Sequence, residues 1–377
     1  MKYAVVHEWL TPLATGGSEL VVQAILDCLY ADIYALIDFE SCNPDSYLYG
    51  RQIGTTFLQH LPRARQGVQK YLPLLPLAIE QLDLRDYDIL VSSSHAVAKG
   101  ILASPHQLHI CYCHTPMRYA WDLTWEYLDA SRLGKGVPGL FTRYLLHRLR
   151  QWDVISANRV DFFIANSRHT ARRIWRCYRR QAQVIYPPVN LTRFTVQEEK
   201  DEFYVVVSRL VSYKHVREIV QAFNQLGKSL VVIGDGPDLE SLRSQAKANV
   251  QILGRLSDEQ VNSYLRRAKG FVYAAYEDFG IALVEAQACG TPVIAYGQGG
   301  ATETVRDLRQ FPKDSTGWLF SAQTPAAIAE GILAFEAHSA KVKPQTCRWQ
   351  AEKFSTEQFQ IHFKNYLQVC QQKNNPL

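Results

Sequence analysis

Tyr3–Val6, Ile33–Leu36, Ile89–Ser92, His109–Cys113 and Phe162–Ala165 are short apolar runs, and a stretch with helical spacing follows nearly every one. The alternation continues through Val184–Tyr186, Tyr204–Val207, Leu230–Ile233, Val250–Leu253, Gly270–Tyr273 and Pro292–Ala295. Strands with no polar face must be covered on both sides, and intervening helices supply that cover. The architecture expected is therefore α/β with parallel sheets and helices over 17–30, 139–157, 215–226, 238–247, 257–267 and 281–289.

At 377 residues the chain exceeds one ordinary core and suits two domains. Pro187-Pro188 ends a strand, and the polar, acidic Thr195–Glu202 precedes the next one. Two adjacent prolines disfavour both a continuing helix and a central strand. The expected division is a first domain over 1–190, a second over 191–348 and a closing segment over 349–377. An amphipathic helix around Trp349–Val369 is long enough to cross back and pack on the first domain.

Hydrophobic residues at 47% and charged residues at 20% describe a well-packed globular protein. No apolar run reaches 18 residues, so no membrane-spanning helix is expected. The start, Met1-Lys2-Tyr3-Ala4, lacks the apolar stretch and cleavage site of a signal peptide, and the chain is expected in the cytoplasm. The eight cysteines are scattered except for Cys111 and Cys113, whose period-two spacing sends both to one face of a strand. They read as core, with no second pair to complete a metal site.

The net charge of +5 is modest, but ten arginines fall within residues 143–180. Arg168, Arg172 and Arg176 share one helical face, with Arg173, Arg179 and Arg180 nearby and Trp175 and Tyr178 interleaved. This stripe reads either as a solvated basic helix or as a peripheral contact with an anionic membrane.

Three motifs carry chemistry. Thr15-Gly16-Gly17-Ser18-Glu19 follows the first strand and opens a helix; it suits a phosphate or sugar at the helix N-terminus, or a tight turn with Ser18 near the cap. Arg209 and Lys214 lie on the loop after the first strand of the second domain, where ligands of an open parallel sheet collect, and two cations there can clamp a diphosphate. Glu277-Asp278-Phe279-Gly280-Ile281 leads into a helix containing Leu283 and Glu285. Two carboxylates with backbone N–H groups around Gly280 and Ile281 suit a polyhydroxyl ligand, and Glu285 in an apolar helix must be paired or bound.

Other signals are weaker. Asp86-Tyr87-Asp88 has the Asp-x-Asp pattern of metal-dependent transferases but precedes a strand, the wrong end of a parallel sheet for a ligand. His114 alone reads as a core histidine and His95 as a turn residue. Glu8 reads equally as an acceptor contact and as a solvated carboxylate. Tyr119, Trp121, Trp125 and Tyr127 divide evenly between core packing and acceptor stacking.

Taken together, the Glu277…Glu285 element with Phe279-Gly280 inside it resembles glycosyltransferase family 4, which has the GT-B fold. The pair Arg209 and Lys214, the turn Gly234-Asp235-Gly236-Pro237, the run Gly254-Arg255-Leu256-Ser257, the apolar strand ending at His114 and Gly16-Gly17 stand in the family's order. The likeness spans essentially the whole chain and leans toward the mannosyltransferase branch. It implies two Rossmann-like domains with sheets facing across a cleft, the first binding acceptor and the second the donor nucleotide.

By the same resemblance Gly16 and Gly17 approach the donor phosphate or sugar, and His114 lies near the hexose. Arg209 and Lys214 neutralise the diphosphate; Glu277 and the amides of Phe279, Gly280 and Ile281 hold sugar hydroxyls. Glu285 binds the ribose, Gly254, Arg255 and Leu256 meet the base, and Leu283 joins the donor set. The implied activity is retaining hexosyl transfer without metal or other cofactor, from GDP-mannose or else a UDP-hexose, to a glycan or lipid-linked acceptor. One departure is His215, where the family often has a basic residue after the lysine. Rival readings are an epimerase on the same fold, a synthase acting on a sugar phosphate, and a nucleic-acid-binding protein using the arginines. The last lacks a reading motif, so no nucleic-acid partner is expected.

Overall fold

The computed structural model describes residues 1–12, 16–122, 124–125, 128 and 136–374. Thr15 of the glycine motif and Tyr127 of the aromatic group lie outside the described residues. The chain divides into two compact units, Met1–Pro187 with Phe359–Leu377, and Pro188–Gln358.

The first unit is built on seven parallel strands: β1 (Tyr3–His7), β2 (Ala31–Ala35), β3 (Ile53–Gly54), β4 (Ile89–Ser94), β5 (Leu108–Cys113), β6 (Phe162–Ala165) and β7 (Ala182–Val184). Their order is β3-β2-β1-β4-β5-β6-β7, so the winding reverses between β1 and β4. Every residue of β4 and β5 is buried, as continuous apolar runs require. Val5, Val91 and Ile110 pack on the helix Gly17–Leu26, while Ala4, Val6 and Leu90 face Ile79 and Leu149 on the other side. Cys111 and Cys113 sit together in a core with Phe163 and Ile174, as their spacing requires.

The closing segment differs from a single helix over 349–369. It comprises two helices, Pro344–Glu352 and Thr356–Asn374. At the break Ser355 forms a parallel bridge with Val189, whose N–H donates to the Phe354 carbonyl at 2.9 Å. The second helix places Phe359, Phe363 and Leu367 in the core of the first sheet. Burial of each contributes roughly 1.5–3 kcal/mol, enough to hold the helix there.

The second unit carries β8 (Asp201–Val207), β9 (Leu230–Ile233), β10 (Val250–Gly254), β11 (Ala268–Tyr273), β12 (Val293–Tyr296) and β13 (Gly317–Phe320). All pairings are parallel, in the order β10-β9-β8-β11-β12-β13, and the winding reverses between β8 and β11. Both units thus have the doubly wound, Rossmann-like form. β13 was not among the expected strands: it is a four-residue edge strand opening on glycine, with too little apolar length to register as a run.

Candidate active site

In the second unit every expected segment leaves the carboxyl end of a strand, on the side where the crevice of a doubly wound sheet forms. The loop after β8 carries Arg209 and is pinned by the turn after β9. There, Leu210 N–H donates to the Asp235 carbonyl at 2.9 Å and Asp238 N–H to the Leu210 carbonyl at 3.1 Å. The contact needs glycine. A Cβ on Gly234 would stand 1.8 Å from the Ser208 oxygen, and one on Gly236 2.3 Å from the Leu210 oxygen, at φ of +146° and +155°. Arg209 is exposed on this loop, and its guanidinium has no hydrogen-bond or ion-pair partner among the described residues.

Lys214 ends the same loop and is largely buried. Its Nζ binds Glu277 Oε1 and lies 3.1 Å from the Tyr273 hydroxyl, which itself donates to Glu277 Oε1 at 2.7 Å. Burial alone would lower the lysine pKa, but the Glu277 carboxylate raises it, so the ammonium stays charged. Because β8 and β11 are neighbours at the winding reversal, Lys214 and Glu277 meet across the switch point.

Glu277 is held from a third direction. Gly300 N–H donates to its carbonyl at 2.8 Å, and a Cβ on Gly300 would lie 2.3 Å from Phe279 Cα. Gly280 caps the helix Ile281–Ala288 at φ 91°, a left-handed conformation that favours glycine. Phe279 and Leu283 turn their side chains inward, Phe279 onto Phe354 at 5.4 Å between ring centres. Neither side chain is open to a ligand, and the Leu283 N–H already donates to the Gly280 carbonyl at 3.0 Å.

Glu285 is paired. Arg193 Nη2 reaches Glu285 Oε1 at 2.6 Å, and Arg193 Nη1 reaches Asp258 at 2.9 Å. Burial raises the Glu285 pKa and the guanidinium opposes the rise. Gly254, at φ +76°, accepts from Gly234 N–H at 2.9 Å, which ties the loops after β9 and β10 together; Arg255 is exposed and Leu256 half-buried beyond it. Arg209, Lys214, Glu277, Gly280, Ile281 and Gly254–Leu256 therefore all lie at one end of one sheet.

The first unit gathers histidines at the carboxyl ends of β1, β4 and β5. His114 Nε2 lies 2.8 Å from Ser93 Oγ, which is 3.2 Å from His7 Nδ1. Burial, reinforced by His95 and His7, drives the His114 pKa well down, so the ring is neutral. His7 Nδ1 also faces the Ser93 carbonyl at 3.1 Å and must donate to it. Its Nε2 stands 3.7 Å from Glu19, longer than a hydrogen bond. Glu19 accepts from Gly16 N–H at 2.8 Å and Ser18 Oγ at 2.9 Å. One N–H expected to be open at the Gly16-Gly17 turn is thus already used by the helix cap.

Glu8 answers neither expectation for it. Its carboxylate is fully buried and accepts from Ser94 Oγ and from the N–H groups of His95, Ala96, Val97 and Ala98 at 2.7–3.1 Å. It organises the turn after β4 instead of meeting a ligand. Asp88 accepts from Lys2 N–H at 2.7 Å ahead of β4, at the amino end of the sheet. The arginine stripe is narrower than its sequence. Arg168, Arg172, Arg176 and Trp175 are exposed, but Tyr178 is buried against Asp153 and Arg173 makes a bidentate pair with Asp122 at 2.6 and 2.7 Å. Arg180 is spent on the carbonyls of Ala157, Val160 and Asp161.

Sequence reasoning missed Tyr273, Arg193 and the pair Gly299-Gly300. The glycine pair just after an apolar run was a readable signal; Tyr273 and Arg193 gave none, because their partners come from other loops.

Comparison with known proteins gives this geometry a family. Residues 15–193 match the model described as Glycosyltransferase Family 4, and residues 190–353 that described as Glycosyl transferases group 1. An uncharacterized glycosyltransferase of Methanocaldococcus jannaschii is 30% identical over 323 residues, 84% of each chain. A GDP-mannose-dependent monoacylated alpha-(1-6)-phosphatidylinositol monomannoside mannosyltransferase of Corynebacterium glutamicum is 36% identical over 114 residues, 26% of this chain and 30% of that one. Among solved structures, Anabaena HepE in complex with UDP superposes with a TM-score of 0.69 over 98% of this chain and 100% of its own, at 16% identity, a likeness of fold. With both halves matched and a relative aligned along most of its length, the chain belongs to the glycosyltransferases of the family 4 type and is a transferase enzyme.

Proposed function

We propose that the enzyme moves a hexose from a nucleotide sugar to a glycan or lipid-linked acceptor with retention, mannose from GDP-mannose by first choice and a UDP-hexose by second. The observation that carries this reading is Arg209, an exposed cation whose guanidinium has no partner among the described residues, on a loop pinned at the switch point beside Lys214. Two fixed positive charges there would stabilise the diphosphate as the glycosidic bond lengthens, which is electrostatic stabilisation of developing charge. They supply what a metal otherwise brings, so no metal or other cofactor is needed. Glu277 and the amides at Gly280 and Ile281 would hold sugar hydroxyls, Glu285 the ribose through displacement of Arg193, and Gly254–Leu256 the base. Neutral His114 would meet the hexose, and Gly16 and Gly17 the sugar or phosphate. A departing phosphate oxygen that deprotonates the acceptor on the same face fits the clamp, in preference to double displacement through a carboxylate.

The mannose choice is supported by the Corynebacterium glutamicum relative, and the alternative by the UDP in the HepE structure. Calorimetric titration with GDP, UDP and ADP tests the base: tighter binding of GDP is expected, a preference for UDP selects the alternative, and a preference for ADP sinks both.

The reading includes a cytoplasmic enzyme in peripheral contact with an anionic membrane. No helix among the described residues is long and apolar enough to cross a bilayer. Support comes from exposed Arg168, Arg172, Arg176 and Trp175, and from the helix Gly136–Ala157, which exposes Val137, Leu140, Phe141 and Tyr144 on one face.

A further inference from the structure

The first unit holds a cavity of about 400 Å³ lined by Trp9, His95 and Thr115 on the β1, β4 and β5 side, within the size range of small-ligand pockets. In its remaining wall Leu72, Leu75, Leu128 and Leu146 form an apolar side, beside Gln69, Arg118, Tyr119 and Thr142. The leucine side offers little to a free sugar, whose hydroxyls it would strip of water without replacing their hydrogen bonds. It suits an alkyl or prenyl chain, where each buried methylene gains about fourfold in affinity.

The polar end is built as carefully as the apolar one. His95 lines the cavity with its ring edge-on to Trp9 at 4.8 Å and 6.3 Å from the His114 ring. Neither of its ring nitrogens has a hydrogen-bond partner among the described residues, and Nδ1 is buried. The ring as a whole is only half-buried, but a buried ring nitrogen without a partner is unusual, because burial removes the water that would otherwise satisfy it. The loop cannot swing to find a partner either, since Glu8 fixes it through the N–H groups of His95, Ala96, Val97 and Ala98. Burial lowers the pKa of the ring, which therefore keeps a lone pair able to accept from a hydroxyl.

We propose that this cavity is the acceptor site, that it takes an amphiphilic acceptor in which a sugar or polyol is joined to a hydrocarbon chain, and that His95 receives the acceptor hydroxyl. The assignment rests on the transferase reading and narrows its acceptor to the lipid-linked class. The leucines grip the chain, Trp9 and Thr115 border the sugar, and His95 orients the hydroxyl beside His114.

The test compares octyl and methyl α-mannoside, and the matching glucosides, binding to the full chain without donor and below the micellar concentration, followed by tryptophan fluorescence. The octyl glycosides should bind at least tenfold more tightly than the methyl ones. Thr142→Trp, which fills the cavity from the half-buried surface of a helix, should erase that preference. His95→Asn should weaken both by about fivefold while keeping the preference. Equal affinity for octyl and methyl glycosides, or octyl binding untouched by Thr142→Trp, overturns the site; unchanged affinity in His95→Asn removes that residue from it. Titration with GDP and UDP on the same samples separates the two readings. Nucleotide binding with no chain-length preference defeats only the acceptor site, and the preference without nucleotide binding defeats only the donor reading.

Discussion

Arg209 and Lys214 stand five positions apart and yet have unlike surroundings. The Arg209 guanidinium is exposed and without a partner among the described residues, whereas Lys214 neutralises Glu277 beside Tyr273. Arg209→Ala should therefore weaken nucleoside diphosphate binding by about 1.5–3 kcal/mol and leave stability within ~0.5 kcal/mol of the parent. Lys214→Ala should weaken binding similarly and also lower the melting temperature, because it removes the positive charge that neutralises the half-buried Glu277 carboxylate. Calorimetry with parallel thermal melts checks both, and unchanged nucleotide affinity in either variant would assign that residue another task. For the two acids, the proposed roles predict that Glu285→Gln mainly raises the donor KM, because a ribose contact would be shared by ground and transition states, while Glu277→Gln mainly lowers kcat. Steady-state kinetics decides, and the reverse pattern exchanges their roles. The acids and cations were legible from residue type and spacing. That Glu285 meets Arg193 was not, although the need for some partner was.

Elements show the same division. The helix Gly17–Leu26 carries its own cap in Glu19, which accepts from Gly16 N–H. Burial would raise the Glu19 pKa, but His7, its own backbone N–H and Ser18 together bring it from 4.5 to about 2. A carboxyl depressed on folding contributes stability above its unfolded pKa and loses it as pH falls through the folded one. Glu19→Gln should thus be less stable at neutral pH and show a shallower loss between about pH 4.5 and 2, read from urea midpoints across that window. An acid limb identical to the parent's would mean the cap contributes no pH-dependent stability. The arginine-rich helix Arg168–Tyr178 presents Arg168, Arg172, Arg176 and Trp175 outward. Each basic residue near an anionic surface is worth about 1 kcal/mol, so co-sedimentation with anionic vesicles should fall as salt rises. Equal recovery on neutral and anionic vesicles would exclude the contact. Helical spacing predicted the stripe but could not tell that Tyr178, Arg173 and Arg180 are claimed by the interior.

At the scale of the whole molecule, a cationic clamp in place of a metal predicts that transferase activity survives EDTA. Complete loss on chelation, restored by Mg²⁺ or Mn²⁺, would contradict it. Asp86 and Asp88 are poor candidates for such a metal, because they precede β4 and Asp88 already accepts from Lys2 N–H at 2.7 Å. The two-sheet α/β architecture was written in the sequence, since periods of two and 3.6 residues are properties of neighbouring residues and need no knowledge of the fold. So were the loops of the candidate site, because a parallel strand announces where its carboxyl end lies. Only the tertiary structure decided the partners. Lys214 and Glu277 are 63 positions apart, Arg193 and Glu285 are 92, and Glu8 reaches a turn 86 to 90 residues away. Those pairings arise where loops from different strands converge at one end of a sheet, and the strand order that brings them together is set by packing of the whole core.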